Sequence, residues 1–145
     1  MTSIQVVNQG EEAWLDLICA VNYTLGLFKN DVTTGRTKAQ LNALTEADFL
    51  PATFAGYAAV NLTGGAWTTT PGDPSAATYA MQTFTRTSTG TTQAIYGWYL
   101  TTTAGGLLRC FGRFAPAGGY DITNINEEIR VTPRIPMRDE DDDDA

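Results

Sequence analysis

The chain has 145 residues, a length that suits one domain with its own hydrophobic core. It holds no histidine, 23 threonines but only two lysines, and 16 acidic against 9 basic side chains, for a formal net charge of −7. These numbers exclude a Ser-His-Asp triad, a His-ligated zinc site and an imidazole pH switch. They also weigh against nucleic-acid binding, which needs clustered Lys and Arg, and no apolar run is long enough for a membrane span.

Residues 1–9 read as an arm with no signal-peptide pattern, and Ile4 to Val7 fits a short strand. From Glu11 to Val21 the spacing predicts a helix: Trp14, Leu17, Ile18 and Val21 fall on one face, taken as the core-facing one, and Leu15 and Cys19 widen it. Glu11 and Glu12 suit the positive end of its dipole.

Strand patterns then dominate. Tyr23 to Lys29 alternates, with Tyr23, Leu25 and Leu27 on one face. Residues 36–48 are ambiguous, although Thr45 to Asp48 fits a capped turn that Pro51 ends. Tyr57 to Leu62 and Ala66 to Thr70 read as a hairpin around Gly64-Gly65. Beyond the Pro71 to Pro74 breaker come Ala77 to Thr87, Ala94 to Thr102 and Leu107 to Phe114. In the last of these, Leu108, Cys110 and Phe114 share one face, and Arg109, Phe111 and Arg113 the other. Glu128 to Ile135 closes the series, with Ile129, Val131 and Ile135 inward and Glu128, Arg130, Thr132 and Arg134 outward. About eight short strands at regular turn spacing predict an all-β, mainly antiparallel fold, a β-sandwich or jelly-roll-like barrel with one N-terminal helix. The threonine excess suits strands with wet faces.

Six acids, Asp139, Glu140 and Asp141 to Asp144, lie in the last seven residues, so residues 1–138 carry 9 bases and 10 acids. The body, residues 1–137, is near neutral, and 138–145 is expected to be a solvated, flexible tail.

Few residues suggest chemistry. The carboxylates show no spacing that brings two together, and Asp73 and Asp121 sit in turns. The glycine pairs lie between strands and do not open a helix as a phosphate loop would. Cys110 has no histidine to activate it, and Cys19 and Cys110 are expected to be small buried apolar groups. No catalytic set, metal or cofactor is expected. Trp67, Tyr96, Trp98 and Tyr99 pose a choice between core packing and a sugar-stacking platform. Alternation places Tyr96, Trp98 and Leu100 opposite Ile95, Gly97 and Tyr99, so both faces of that strand are apolar and a central position is expected. Four of the seven arginines, Arg109, Arg113, Arg130 and Arg134, are expected on outward strand faces, with Phe111 between the first pair. Arg and aromatic side chains are enriched in protein interfaces; surface ion pairing with Glu127 and Glu128 is the plainer alternative.

The order of motifs resembles a group of small virion structural proteins of tailed bacteriophages. The resemblance rests on the N-terminal helix, Tyr23 to Asn30, Glu46 to Phe49, Gly56 to Ala59 and Trp67. It continues through Ala77 to Phe84, Ile95 to Leu100, Arg113-Phe114 and Ile129 to Pro133. It covers roughly residues 4–136; Thr37 to Leu44 and the acidic tail depart from the pattern. It implies a non-enzymatic capsid decoration or cement protein, made in the host bacterial cytoplasm, that binds the major capsid protein and itself as a dimer or trimer. A minor tail protein is the alternative within the virion. A carbohydrate-binding module using Trp67 or Trp98 is the alternative from another class. The expected contacts are the segment Thr2 to Val7, notably Ile4 and Val6, together with Arg109, Phe111, Arg113, Arg130 and Arg134, and the stretch after Pro133. Neither nucleic acid nor membrane is an expected partner.

Overall fold

A computed structural model describes residues 6–137, so Ile4 and the acidic tail lie outside the described residues. The fold is all-β and mainly antiparallel, with one long helix near its N-terminus, as the turn spacing predicts. Helix α1 spans Asn8–Ile18. It starts three residues earlier than expected and stops three short of Val21, so the arm ends at Val7, and Val6 and Val7 form no strand.

The strands are β1 Tyr23–Phe28, β2 Val60–Leu62, β3 Thr68–Thr70, β4 Ala76–Thr78, β5 Gln82–Thr85 and β6 Gln93–Ile95. They continue with β7 Gly97–Thr102, β8 Leu108–Arg113, β9 Tyr120–Ile122, β10 Glu128–Val131 and β11 Arg134–Pro136. A short helix, α2 Lys38–Asn42, precedes a 3-10 turn at Glu46–Asp48, and both carry the capping box that Thr37 and Thr45 supply.

Strand β1 is the pivot of the order β2-β1-β7-β8, with Leu25 opposite Leu100 and Leu27 opposite Trp98. It is buried almost throughout because both sheet faces are covered. On one face Tyr23, Leu25, Leu27 and Leu100 join the main core with Leu15, Ile95, Ile122, Ile129, Val131 and Ile135. On the other, Phe28, Val32 and Phe49 form a small cluster with Tyr99 and Phe111. Phe49 stacks on Tyr99 at 5.1 Å and meets Phe28 edge-on at 5.0 Å. The two faces read around Tyr96 to Leu100 are both interior, but their membership needs correction. Ile95 joins Trp98 and Leu100 in the main core and Tyr96 joins Tyr99 against the Phe28 cluster, because the chain changes sheet at Tyr96 and the alternation breaks there. The loop carrying Val32 and Phe49 covers that second face.

Three further sheets line the main core: β10-β5, β11-β4-β3 and β6-β9. Here the strand expectations need correction. Ala77 to Thr87 is two strands in different sheets, as are Ala94 to Thr102 and Glu128 to Ile135. The proposed hairpin around Gly64-Gly65 does not form, since β2 pairs with β1 and β3 with β4. In each case the chain leaves one sheet for another over one to three irregular residues. These three divisions, with β9 at Tyr120–Ile122, which the turn reading misses, give eleven short strands among the described residues where eight are expected, the arm's included. Leu108 is a further correction. A bulge between Leu100 and Thr101 shifts the register and moves Leu108 into the Phe28 cluster, away from Cys110 and Phe114.

Candidate functional site

The expected arginine constellation does not assemble. Arg109 and Arg113 lie on β8, whereas Arg130 and Arg134 lie on β10 and β11, in two other sheets. Arg109 and Arg130 are exposed. Arg130 Nη2 lies 3.0 Å from Glu128 Oε2, the surface pairing that adds little stability. Arg134 is half-buried and lines a shallow recess with Thr70, Asp73 and Thr78. Phe111 is half-buried in the aromatic cluster, 5.4 Å from Phe49.

Arg113 turns inward. Its Nη1 donates to the carbonyls of Tyr96 (3.0 Å), Phe114 (3.3 Å) and Pro116 (3.2 Å), and Nη2 donates to Ala117 O at 2.6 Å. The guanidinium also sits 4.7 Å above the Tyr96 ring. It pins the turn after β8 and is not an outward contact. Carbonyls left without donors by that turn recruit the nearest long cation, and strand alternation is blind to such demand.

Asp31 lies 3.9 Å from Arg113 Nε. The Thr34 hydroxyl, with the Thr33 and Thr34 N–H groups, donates to its carboxylate and holds the carboxyl at about 2, below its ordinary 3.8. A folded value below the unfolded one stabilises the turn above the unfolded pKa, and that support is lost as pH falls through about 2. An NMR titration should place the Asp31 midpoint near 2, and Thr34→Val should move it toward 3.8. An Asp31 midpoint near 3.8 in the unaltered chain would contradict the hydrogen-bond cause.

Burial pushes the Cys19 thiol up to about 11 and the Cys110 thiol up to about 12, so little thiolate forms at neutral pH. Both sit in or against the main core. Asp121, Glu127 and Glu128 do share one wall region, an open cleft of about 620 Å³ with Phe114, Tyr120 and Arg130. The two glutamates are both engaged in holding local structure. Glu127 accepts from Thr123 N–H and Asn124, which lowers its carboxyl, and Glu128 pairs with Arg130. Among the described residues no three His, Cys, Asp or Glu side chains are grouped to hold a metal ion. Trp67 packs between Tyr23 (6.2 Å) and Tyr79 (5.2 Å), and Trp98 lies over Gly112, so both rings pack against the core.

The most exposed apolar surface lies on α1. Trp14 is 50% exposed, Leu17 74%, Ile18 40% and Val21 50%, and Val7 continues the stripe at 61%. These include the four residues expected to face the core, and their placement is the largest correction. The neighbouring sector, about 100° round the helix axis, goes inward instead through Leu15 and Cys19. Two polar contacts accompany this roll. Glu11 accepts the Ser75 N–H beside β4 at 3.3 Å, and Asp16 accepts the Thr69 hydroxyl on β3 at 3.2 Å. The sequence signal was the breadth of the apolar sector. Trp14, Leu15, Leu17, Ile18, Cys19 and Val21 cover more of the helix than one core contact can bury.

No family model matches the chain, and no curated protein or solved structure matches it either.

Proposed function

We propose that this chain is a non-enzymatic structural protein of a tailed-bacteriophage virion, and within it a capsid decoration protein on the outer surface of the major capsid lattice. The observation that carries a contact role is the stripe along α1 and its two ends, five large apolar side chains turned to solvent. Contiguous exposed apolar surface of this kind marks an interaction site. The order of sequence motifs supports the virion, and the Thr-rich, Lys-poor surface supports extended contact, because short side chains lose little rotamer entropy when covered. A protein that binds only the assembled shell stabilises it by mass action, which is what resisting internal DNA pressure requires. Of the four strand arginines, Arg109 and Arg130 are exposed to such a lattice, whereas Arg113 and Phe111 are engaged inside.

Copy number tests the reading. Quantitative mass spectrometry of purified particles should find on the order of hundreds of copies, retained in tail-less heads, as a repeating lattice demands. About six to a few dozen copies that fractionate with tails would move the protein to the tail, following the lower symmetry there. Absence from particles would end the virion reading. The packed positions of Trp67 and Trp98 give a glycan platform no support.

A further inference from the structure

We infer that the exposed stripe of α1 is covered by the same stripe of a second copy, as an antiparallel helix pair about a two-fold axis. The inference rests on the surface itself and not on the virion reading. Gly10, Trp14 and Leu17 follow one another at four and three residues on the helix, with Val7 at its N-cap, the spacing of a seam that packs against another helix. The seam is self-complementary in shape. Gly10 leaves a hollow: a Cβ added there would meet only Val6 Cγ1, at 3.6 Å. An antiparallel pair that sets Gly10 of one copy against Trp14 of the other also sets Val7 against Leu17. A large side chain then faces a small one and an aliphatic one faces an aliphatic one.

Area and charge agree with this occupant. At the observed exposures the stripe presents on the order of 500 Å² per copy, so complete cover of both copies would bury at most about 1,000 Å², the lower bound for a specific interface. The stripe itself carries no charge. Glu11 and Asp16 are tied to Ser75 and Thr69, away from the seam, so two copies can meet without opposing carboxylates at its centre. The acids of α1 remain at the rim with no base on the helix, so added salt should tighten the pair. The chain's own C-terminal stretch cannot be the cover, because residues 138–145 contain no apolar side chain larger than alanine. A two-fold contact sets the same helix face of both copies against each other and therefore stops at a dimer.

Sedimentation velocity on the full chain, from about 1 to 200 μM, tests this. The unaltered protein should pass from monomer to dimer, and more readily at higher salt. Leu17→Glu should weaken association by at least about 100-fold. Its circular dichroism and Tm should stay unchanged, because Leu17 is the most exposed side chain of the stripe. Trp14→Gln should act in the same direction. Indole emission should shift to the blue with concentration in the unaltered chain and stay constant in Leu17→Glu. A monomer at every concentration overturns the inference. So does a dimer that survives Leu17→Glu, since the contact would then lie elsewhere on the molecule. None of these outcomes depends on copy number in particles, so this inference and the virion reading can fail separately.

Discussion

Replacing Arg86 with methionine is expected to lower folding stability by about 3 kcal/mol. The measurement is a urea titration, in which the midpoint falls while the slope stays constant. Arg86 follows β5 and is 5% exposed. Its Nε donates to Ser88 O at 2.7 Å, and Nη1 donates to Thr91 O at 3.0 Å and Ile122 O at 2.8 Å. One guanidinium therefore stitches residues 87–92 to β9. The backbone reinforces the join, since Arg86 N–H donates to Glu127 O and Gly90 N–H to Thr123 O. Methionine fills much of the volume but leaves the buried Ile122 carbonyl short of a donor and releases the Ser88 and Thr91 carbonyls at the edge of the site. Arg86→Lys keeps the charge, yet a single ammonium cannot span three carbonyls on two segments, so it should recover only part of the loss. The loop should also open locally, with faster hydrogen exchange at Gly90. A methionine variant within about 0.5 kcal/mol of the unaltered chain would refute the stitching role.

Gly97→Val is the second large effect, a loss of about 3 kcal/mol from overpacking. Gly97 opens β7 opposite Arg113 and beside Phe28. A Cβ there would collide with the Gly112 carbonyl oxygen and stand 2.6 Å from the Phe28 ring. Backbone of the neighbouring strand cannot yield without parting β7 from β8, and Phe28 is fully buried in the aromatic cluster. Gly65 provides the contrast. Nothing lies within 4 Å of a Cβ there, but φ is +82°, so Gly65→Ala should cost only the left-handed backbone term of about 1 kcal/mol. Thermal melts of the two variants separate crowding from backbone strain. A Gly97→Val loss no larger than that of Gly65→Ala would show that the sheet accommodates the side chain.

Individual elements show how far local pattern carries. The alternation of Tyr23, Leu25 and Leu27 names the core face of β1, and Ile129, Val131 and Ile135 are inward as read. The turn at Ala104 to Gly106 does join β7 to β8. What local pattern misses is the change of partner. At Tyr79 to Met81, at Tyr96 and at Thr132-Pro133, the chain leaves one sheet and enters another while its strand-like composition continues. Pairing is a contact between distant residues, so nothing local records where it switches. The bulge that sends Leu108 to the other side of the sheet is invisible for the same reason. Arg113 and Arg86 belong to this class too, because each answers to carbonyls from several loops that only folding brings together.

The sequence by itself determined the class of the fold, the near neutrality of the body and the acidity of its end. Composition, turn spacing and two-residue periodicity are properties of neighbours along the chain, and they need no tertiary context. Only the tertiary structure decided which sector of α1 faces in. Periodicity locates an apolar sector on a helix but not its roll. In that roll Leu15 and Cys19 take the buried places, the Thr69 hydroxyl and the Ser75 N–H hold Asp16 and Glu11, and Trp14, Leu17, Ile18 and Val21 face water.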